Sequence, residues 1–250
     1  MRILLAGATG AIGRQLVPML VAAGHEVTGT TRSAARIADL EAAGAGVVVV
    51  DAFDAARLIP AVVAARPDVV IHQLTDLGGG SGGALTDEQL ARTARLRIEG
   101  TPNLVRAAIA AGARRIVAQS IAMLYAPGTE PHAEGDPLGV TEPWTRITLP
   151  GIVALERSVL TSPGIEGVVL RYGLLYGPGA GTERPGKPPT VHIRAAAWAA
   201  LLAVDQGSPG TFNVVDDDGP VSNAKAKAVL GWSPIGPYEP VPTAGGSHVG

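Results

Sequence analysis

Short apolar runs alternate along the chain with segments whose apolar residues recur every three or four positions, which predicts strands and helices in turn. Residues 1–6 carry Ile3, Leu4 and Leu5 as the core of a first strand, and Ile12, Leu16, Val17, Leu20 and Val21 mark one face of the next helix. A second strand is expected over 26–30, and a helix capped by Ser33 runs to 43. The near-continuous valine run at 46–50 predicts a parallel strand covered on both faces. A short helix over 55–65, kinked at Pro60, leads to a fourth strand over 68–72. A glycine-rich loop at 78–83 precedes a long helix over 87–111, with a bend at Thr101-Pro102. A fifth strand at 115–120, a proline-rich loop at 125–146, a helix at 149–160 and a sixth strand at 168–172 follow. This alternation predicts an α/β fold: a Rossmann-type, doubly wound parallel sheet.

After Gly173 the texture changes. A Gly/Pro loop spans 177–189, His192-Ile193 form a brief strand, and an apolar helix covers 194–205. A strand at 211–215 and a helix at 223–230, capped by Ser222, come next. From Gly231 the tail has no hydrophobic period and is expected to drape over the surface or be partly disordered. The expected division is a Rossmann-type domain over 1–173 and a small C-terminal lobe over 174–250, packed on the same core.

The first strand and its helix are joined by Gly7-Ala8-Thr9-Gly10-Ala11-Ile12-Gly13. Strand, glycine turn, helix is the context a dinucleotide fingerprint requires. Gly7 permits the sharp turn, Gly10 leaves room between backbone and pyrophosphate, and Gly13 lets the helix close on its strand. The first-turn N–H groups have no helical acceptor and face the phosphates.

Composition narrows the remaining classes. The 250 residues suffice for one large core, and a net charge of −2 offers no general attraction to nucleic acid or an anionic membrane. The chain has no cysteine, so disulfides, thiol catalysis and zinc–thiolate sites are excluded, and no His/Asp/Glu spacing suggests a metal. No charged leader precedes a long apolar run, and the longest apolar runs are too short for a bilayer; a soluble cytoplasmic protein is expected.

With these residues in view, the chain resembles the extended short-chain dehydrogenase/reductase group, the NAD-dependent epimerase/dehydratase-like proteins. The likeness is carried by the glycine turn, by Asp51-Ala52-Phe53-Asp54, by Glu99-Gly100-Thr101-Pro102-Asn103, by Arg171-Tyr172-Gly173 with Tyr176-Gly177-Pro178-Gly179, and by Leu230-Gly231-Trp232. The resemblance implies NAD(P) at the carboxyl ends of the strands. Asp51 and Ala52 would then meet the adenine, and Gln73, Leu74 and Thr75 would follow the pyrophosphate and ribose. At the end of strand two, where an acid would select NAD, the sequence has Arg32 and Ser33, which favours NADP(H) over NAD(H). Arg36 is a weaker candidate. By the same resemblance, the helices carrying 88–111 and 149–160 are expected to pair in a homodimer.

One departure changes the expected chemistry. The family's proton machinery is a tyrosine with a lysine four residues on, and those positions hold Thr148 and Ile152. The usual serine position is Ile121, with Ser120 one earlier. Arg97 stands where the family places asparagine, and Arg194 where an acid is usual. Tyr125 is the best substitute acid, and packing with a tethered hydroxyl is its alternative role. Arg97 is suited either to a substrate carboxylate or enolate, or to holding the Ser120 loop. His72 reads as a satisfied core histidine, while His132 and His192 have no partner recognisable in sequence.

Three functions fit: an atypical NADP(H)-dependent oxidoreductase or epimerase acting on a small organic substrate, with Tyr125, Ser120 and Arg97 as candidate catalytic residues; a non-catalytic NAD(P)-binding sensor; or a non-redox cyclase, lyase or isomerase reusing the pocket.

Overall fold

A computed structural model of the chain describes residues 1–77 and 85–236. The glycine-rich loop expected at 78–83 and the tail from 237 on lie outside the described residues.

Seven parallel strands form the central sheet: β1 (Arg2–Ala6), β2 (Glu26–Thr31), β3 (Gly46–Val49), β4 (Val69–His72), β5 (Arg115–Ile121), β6 (Glu166–Tyr172) and, last in sequence, β9 (Gly210–Val214). Their spatial order is β3-β2-β1-β4-β5-β6-β9. The order reverses between β1 and β4, which opens a crevice at the carboxyl ends of these two strands. Successive residues of β1 point to opposite faces. Ile3 and Leu5 join a core with Ile12, Leu16 and Leu20 of α1 (Ala11–Ala22). Leu4 and Ala6 join a second core with Leu58 and Val62 of α3 (Ala55–Ala65) and Leu104 of α5 (Thr101–Ala110). The middle residues of the central strands are apolar because both faces are covered, and buried polar residues gather at their carboxyl ends.

The valine run departs from its expectation. It forms β3, which lies at the sheet edge, and Val49 remains 38% exposed. An apolar run specifies a strand, not its rank in the sheet. Ahead of it, residues 34–36 form a 3-10 turn leading to α2 (Ile37–Ala42).

The expected long helix is three pieces: α4 (Asp87–Arg95), a π-helical segment (Leu96–Gly100) and α5. The irregularity precedes Thr101-Pro102. Pro102 cannot donate to the carbonyl four residues back, and the widened turn accommodates its ring. Helix α6 (Pro143–Thr161) starts earlier than expected, taking up part of the proline-rich loop. Pro143 sits in its first turn, where the missing N–H costs nothing, and Glu142 and Thr145 close a reciprocal cap.

The C-terminal elements pack on the same core. β7 (Leu174–Tyr176), unforeseen, pairs in parallel with β8 (Thr190–His192). α7 (Ile193–Leu202) packs on α1, and β9 hydrogen-bonds to β6. After α8 (Ala224–Leu230), Trp232 is buried and its Nε1–H donates to the Ala195 carbonyl at 2.9 Å. Trp232 is therefore anchored on the core, although it belongs to the tail that the sequence suggested would drape over the surface or be partly disordered. One large aromatic does the work that a hydrophobic period would otherwise signal.

Candidate active site

The glycine turn closes on itself. Gly10 N–H donates to the Gly7 carbonyl at 3.0 Å, and Gly7 has φ +91°. A Cβ on Gly13 would lie 2.2 Å from that carbonyl oxygen, and a Cβ on Gly7 would lie 2.7 Å from the Gln73 backbone at the β4 exit. No side chain caps α1, and Arg14 is the first residue with a helical acceptor, Gly10 O at 3.0 Å. The N–H groups of Ala11, Ile12 and Gly13 thus precede the helical ladder, and the dipole favours negative charge there. This uncapped cradle fits a pyrophosphate.

The other expected nucleotide contacts border the same crevice. Asp51 Oδ1 accepts from Phe53 N–H at 2.9 Å, and the Ala52 carbonyl is fixed by Asn103 Nδ2 at 2.9 Å. The Leu74 N–H donates to His72 Nδ1 at 3.2 Å, and Thr75 is exposed. Arg32 ion-pairs with Asp76 at 3.1 Å, joining the end of β2 to the β4 exit, and Ser33 N–H donates to Thr31 Oγ1. A concavity of about 290 Å³ between α1 and α2 is lined by Thr9, Arg14, Arg36 and Asp39. Arg36 pairs with Asp39 at 2.9 Å. Arg14 was not among the expected cofactor residues; nothing in its local sequence distinguishes it from an ordinary helix-surface arginine.

Beneath the carboxyl ends of β5 and β6 lies a buried polar network. Arg171 donates to Glu156 through Nε (2.8 Å) and Nη2 (2.7 Å), and Ser120 Oγ donates to the same carboxylate at 2.7 Å. Arg171 Nη1 also donates to Tyr125 Oη at 2.9 Å, while Tyr125 Oη donates to Asn213 Oδ1 at 2.7 Å. The Tyr125 ring stacks on His132, 5.0 Å between centroids, and His132 Nδ1 lies 3.1 Å from Asp136. Burial raises the Tyr125 pKa against the opposing pull of Arg171. For Arg171, burial works against the charge, but the hydrogen bonds and charge of Glu156 outweigh it and hold the guanidinium protonated. Ser120 and Tyr125 are thus brought together through Arg171 and Glu156, and both hydroxyls have internal partners.

Thr148 and Ile152 are both buried on α6, and among the described residues Thr148 Oγ1 has no hydrogen-bond partner. Gln73 Nε2 donates to Tyr172 Oη at 3.3 Å, while Gln73 Oε1 is also unpartnered among the described residues. His72 is fully enclosed: Nδ1 accepts from Leu74, so Nε2 carries the proton and faces Thr101 Oγ1 at 2.9 Å. Burial, and then the charge of Arg97, lower its pKa to about 3. It is neutral at physiological pH, and the lone pair of Nδ1 is already engaged by the Leu74 N–H. His192 caps α7 and meets Tyr176 edge-on.

A sequence model of the NAD dependent epimerase/dehydratase family matches residues 3–214. The chain belongs to this family. Among relatives, a Streptomyces protein described as 3-diazoavenalumate denitrifying reductase is 44% identical over 244 residues, covering 87% of this chain and 77% of that protein. Among solved structures, UDP-glucose 4-epimerase from Thermotoga maritima, with UDP-glucose, superposes with TM-score 0.75 at 20% identity over 94% of each chain. The Bordetella bronchiseptica enzyme WbmG, in complex with NAD, gives TM-score 0.71 at 21% identity over 93% of this chain and 88% of that one. At these identities the two structures share the fold of the family, and the reductase is the informative relative for chemistry.

Proposed function

We propose that this chain is an NADPH-dependent reductase that removes a diazo group from a small organic substrate. The reading rests on Thr148 and Ile152, both buried on α6, which the family resemblance sets at the positions of its phenol and ammonium. Reduction of a carbonyl generates an alkoxide and needs a proton donor. Loss of dinitrogen does not. When bound, the reduced cofactor supplies a hydride equivalent: a C–H bond forms at the diazonium carbon, the C–N bond breaks, and N₂ leaves with the bonding pair. The 44% identity to a denitrifying reductase supports the same substrate class.

The protein's part is binding and orientation. The α1 N–H groups would hold the pyrophosphate, with Asp51, Ala52, Gln73, Leu74 and Thr75 along the nucleotide. Arg32, freed from Asp76, and Ser33 would receive a 2′-phosphate. Tyr125 and Ser120 act as positioning residues that hold the Arg171–Glu156 pair, which sets the floor of the site. The half-exposed apolar residues Ile98 and Val153, on the π-helical segment and α6, suit pairing in a homodimer. The chain has no cysteine, which suits a reducing compartment, and the cytoplasm is the proposed location. No helix of the described residues is long and apolar enough to cross a membrane.

The test incubates purified protein with deuterated NADPH and a diazo phenol. The reading expects NADPH oxidation matched by dinitrogen release, with deuterium at the carbon that held nitrogen. NADPH binding without dinitrogen release would instead support a sensor, and epimerisation of a UDP-sugar would overturn the assignment.

A further inference from the structure

Arg97 is 5% exposed, and among the described residues its guanidinium makes no hydrogen bond or ion pair. Such a group is costly to enclose, since a buried charge without a hydrogen-bonded partner is not repaid for its lost hydration. The carboxylate whose charge reaches it is Glu156, and both oxygens of Glu156 are already engaged by Arg171 and Ser120. His72, the other ionisable group facing Arg97, is neutral. Glu134 lies on the Tyr125 side, where its Oε1 accepts from Asn213 N–H at 2.8 Å. Two buried guanidiniums therefore share one buried carboxylate, and the surplus positive charge resides on Arg97. Burial lowers its pKa to about 10, so it stays charged at neutral pH.

The backbone here is also unusual. Arg97 sits inside the π-helical segment Leu96–Gly100, whose extra residue rotates its side chain away from the register α4 would set. This segment packs against α6, which carries Thr148 with its unpartnered buried hydroxyl. The β4 exit supplies a second unpartnered buried atom, Gln73 Oε1. Buried polar groups without partners are rare in folded proteins, and several at one end of a sheet leave donors and acceptors there that a polar ligand could engage.

We infer that Arg97 is the receiving group for a negatively charged oxygen of the substrate, a carboxylate or a phenolate, held at the carboxyl end of the sheet beside α6. A guanidinium offers five donors in a fixed fork, matched to such oxygens, and an enclosed site strengthens each bond. That the ligand is a substrate rests on the reductase reading; the anion site itself does not, and it is tested without turnover.

The full chain, loaded with NADP⁺, is titrated by calorimetry and ligand-observed NMR with benzoate, 4-nitrophenolate and benzamide. Benzoate carries only the carboxylate, 4-nitrophenolate only the phenolate, and benzamide neither. The expected result is that one anion binds about ten- to hundredfold tighter than benzamide, as loss of a charged hydrogen bond implies. Arg97→Met should abolish that preference, and Arg97→Lys should keep part of it. Circular dichroism checks folding; should Arg97→Met not fold, Arg97→Gln decides in its place. Equal binding of all three probes to the wild type, or an undiminished preference in a folded neutral variant, would overturn the inference. Failure of the diazo assay alone would leave this outcome unchanged and would count against the reductase reading only.

Discussion

Arg171 forks onto Glu156, Nε to Oε1 at 2.8 Å and Nη2 to Oε2 at 2.7 Å, and so ties β6 to α6 beneath the site. Both side chains are under a tenth exposed. Removing one member leaves the other as a buried, uncompensated charge. Glu156→Gln should therefore cost about 3–5 kcal/mol of stability, read as a fall in the urea midpoint. Pairing it with Arg171→Met should recover part of the loss, because the stranded charge is then gone. If the single variant melts like the wild type, the pair is not buried as described.

Tyr125 gives the second prediction. Its hydroxyl is spoken for by Asn213 and Arg171, and its ring is stacked on His132. Tyr125→Phe removes two hydrogen bonds and should lower stability by about 1–3 kcal/mol. Turnover of a diazo substrate should stay within about threefold of wild type, since a group that donates no proton leaves the barrier nearly unchanged. A loss of two orders of magnitude in kcat with an unchanged KM would identify Tyr125 as the acid after all.

Much of this arrangement was legible before any coordinates. The glycine turn and the alternation of strand and helix are local facts of the sequence, and locality is why they could be read. What escaped was non-local. The valine run of β3 gave no hint that this strand would stand at the edge of the sheet. The partners of Tyr125, Asn213 and Arg171, are 88 and 46 residues away and meet it only because β5, β6 and β9 are neighbours. The π-helical segment arises from a strain that Pro102 imposes on the turn before it, while periodicity reports only the average helix. Arg97 was visible as an oddity, but the engagement of Glu156, the carboxylate whose charge reaches it, by Arg171 and Ser120 is a property of packing.

His72 predicts a pH dependence. Its pKa falls from 6.5 in the unfolded chain to about 3 in the folded one, through burial and then the charge of Arg97. Between those values the unfolded state binds the extra proton, so stability is full above 6.5 and declines as pH drops toward 3. The slope from this group alone is at most about 1.4 kcal/mol per pH unit. His72→Gln should flatten the stability–pH curve in that window, measured by denaturant melts at stepped pH. An unaltered slope would mean that the imidazole is not enclosed.

The exposed face of α6 and the π-helical segment gives a prediction on assembly. Val153 is 50% exposed and Ile98 45% exposed. If two copies pair there, Val153→Glu places a charge in the contact and should shift the sedimentation profile to monomer, with little change in the melting of the subunit itself. A wild type that sediments as a monomer at every concentration would remove the homodimer.

Arg32 and Asp76 bear on the cofactor. Their ion pair, 3.1 Å, occupies the guanidinium that would otherwise meet a 2′-phosphate, and Arg32 is largely exposed and free to swing. Under the proposed NADPH preference, binding would exchange a carboxylate partner for a doubly charged phosphate, an exchange NADH does not offer. Arg32→Glu should weaken NADPH by about ten- to hundredfold and leave NADH within a few fold, as loss of charge-assisted hydrogen bonds implies. Asp76→Asn should act in the opposite sense, tightening NADPH modestly by releasing the arginine in advance. Both are measured by fluorescence titration of the reduced nucleotides. Equal effects on NADPH and NADH would show that Arg32 holds the loop rather than the phosphate, and would pass the selection to Arg14 and Arg36 around the neighbouring concavity.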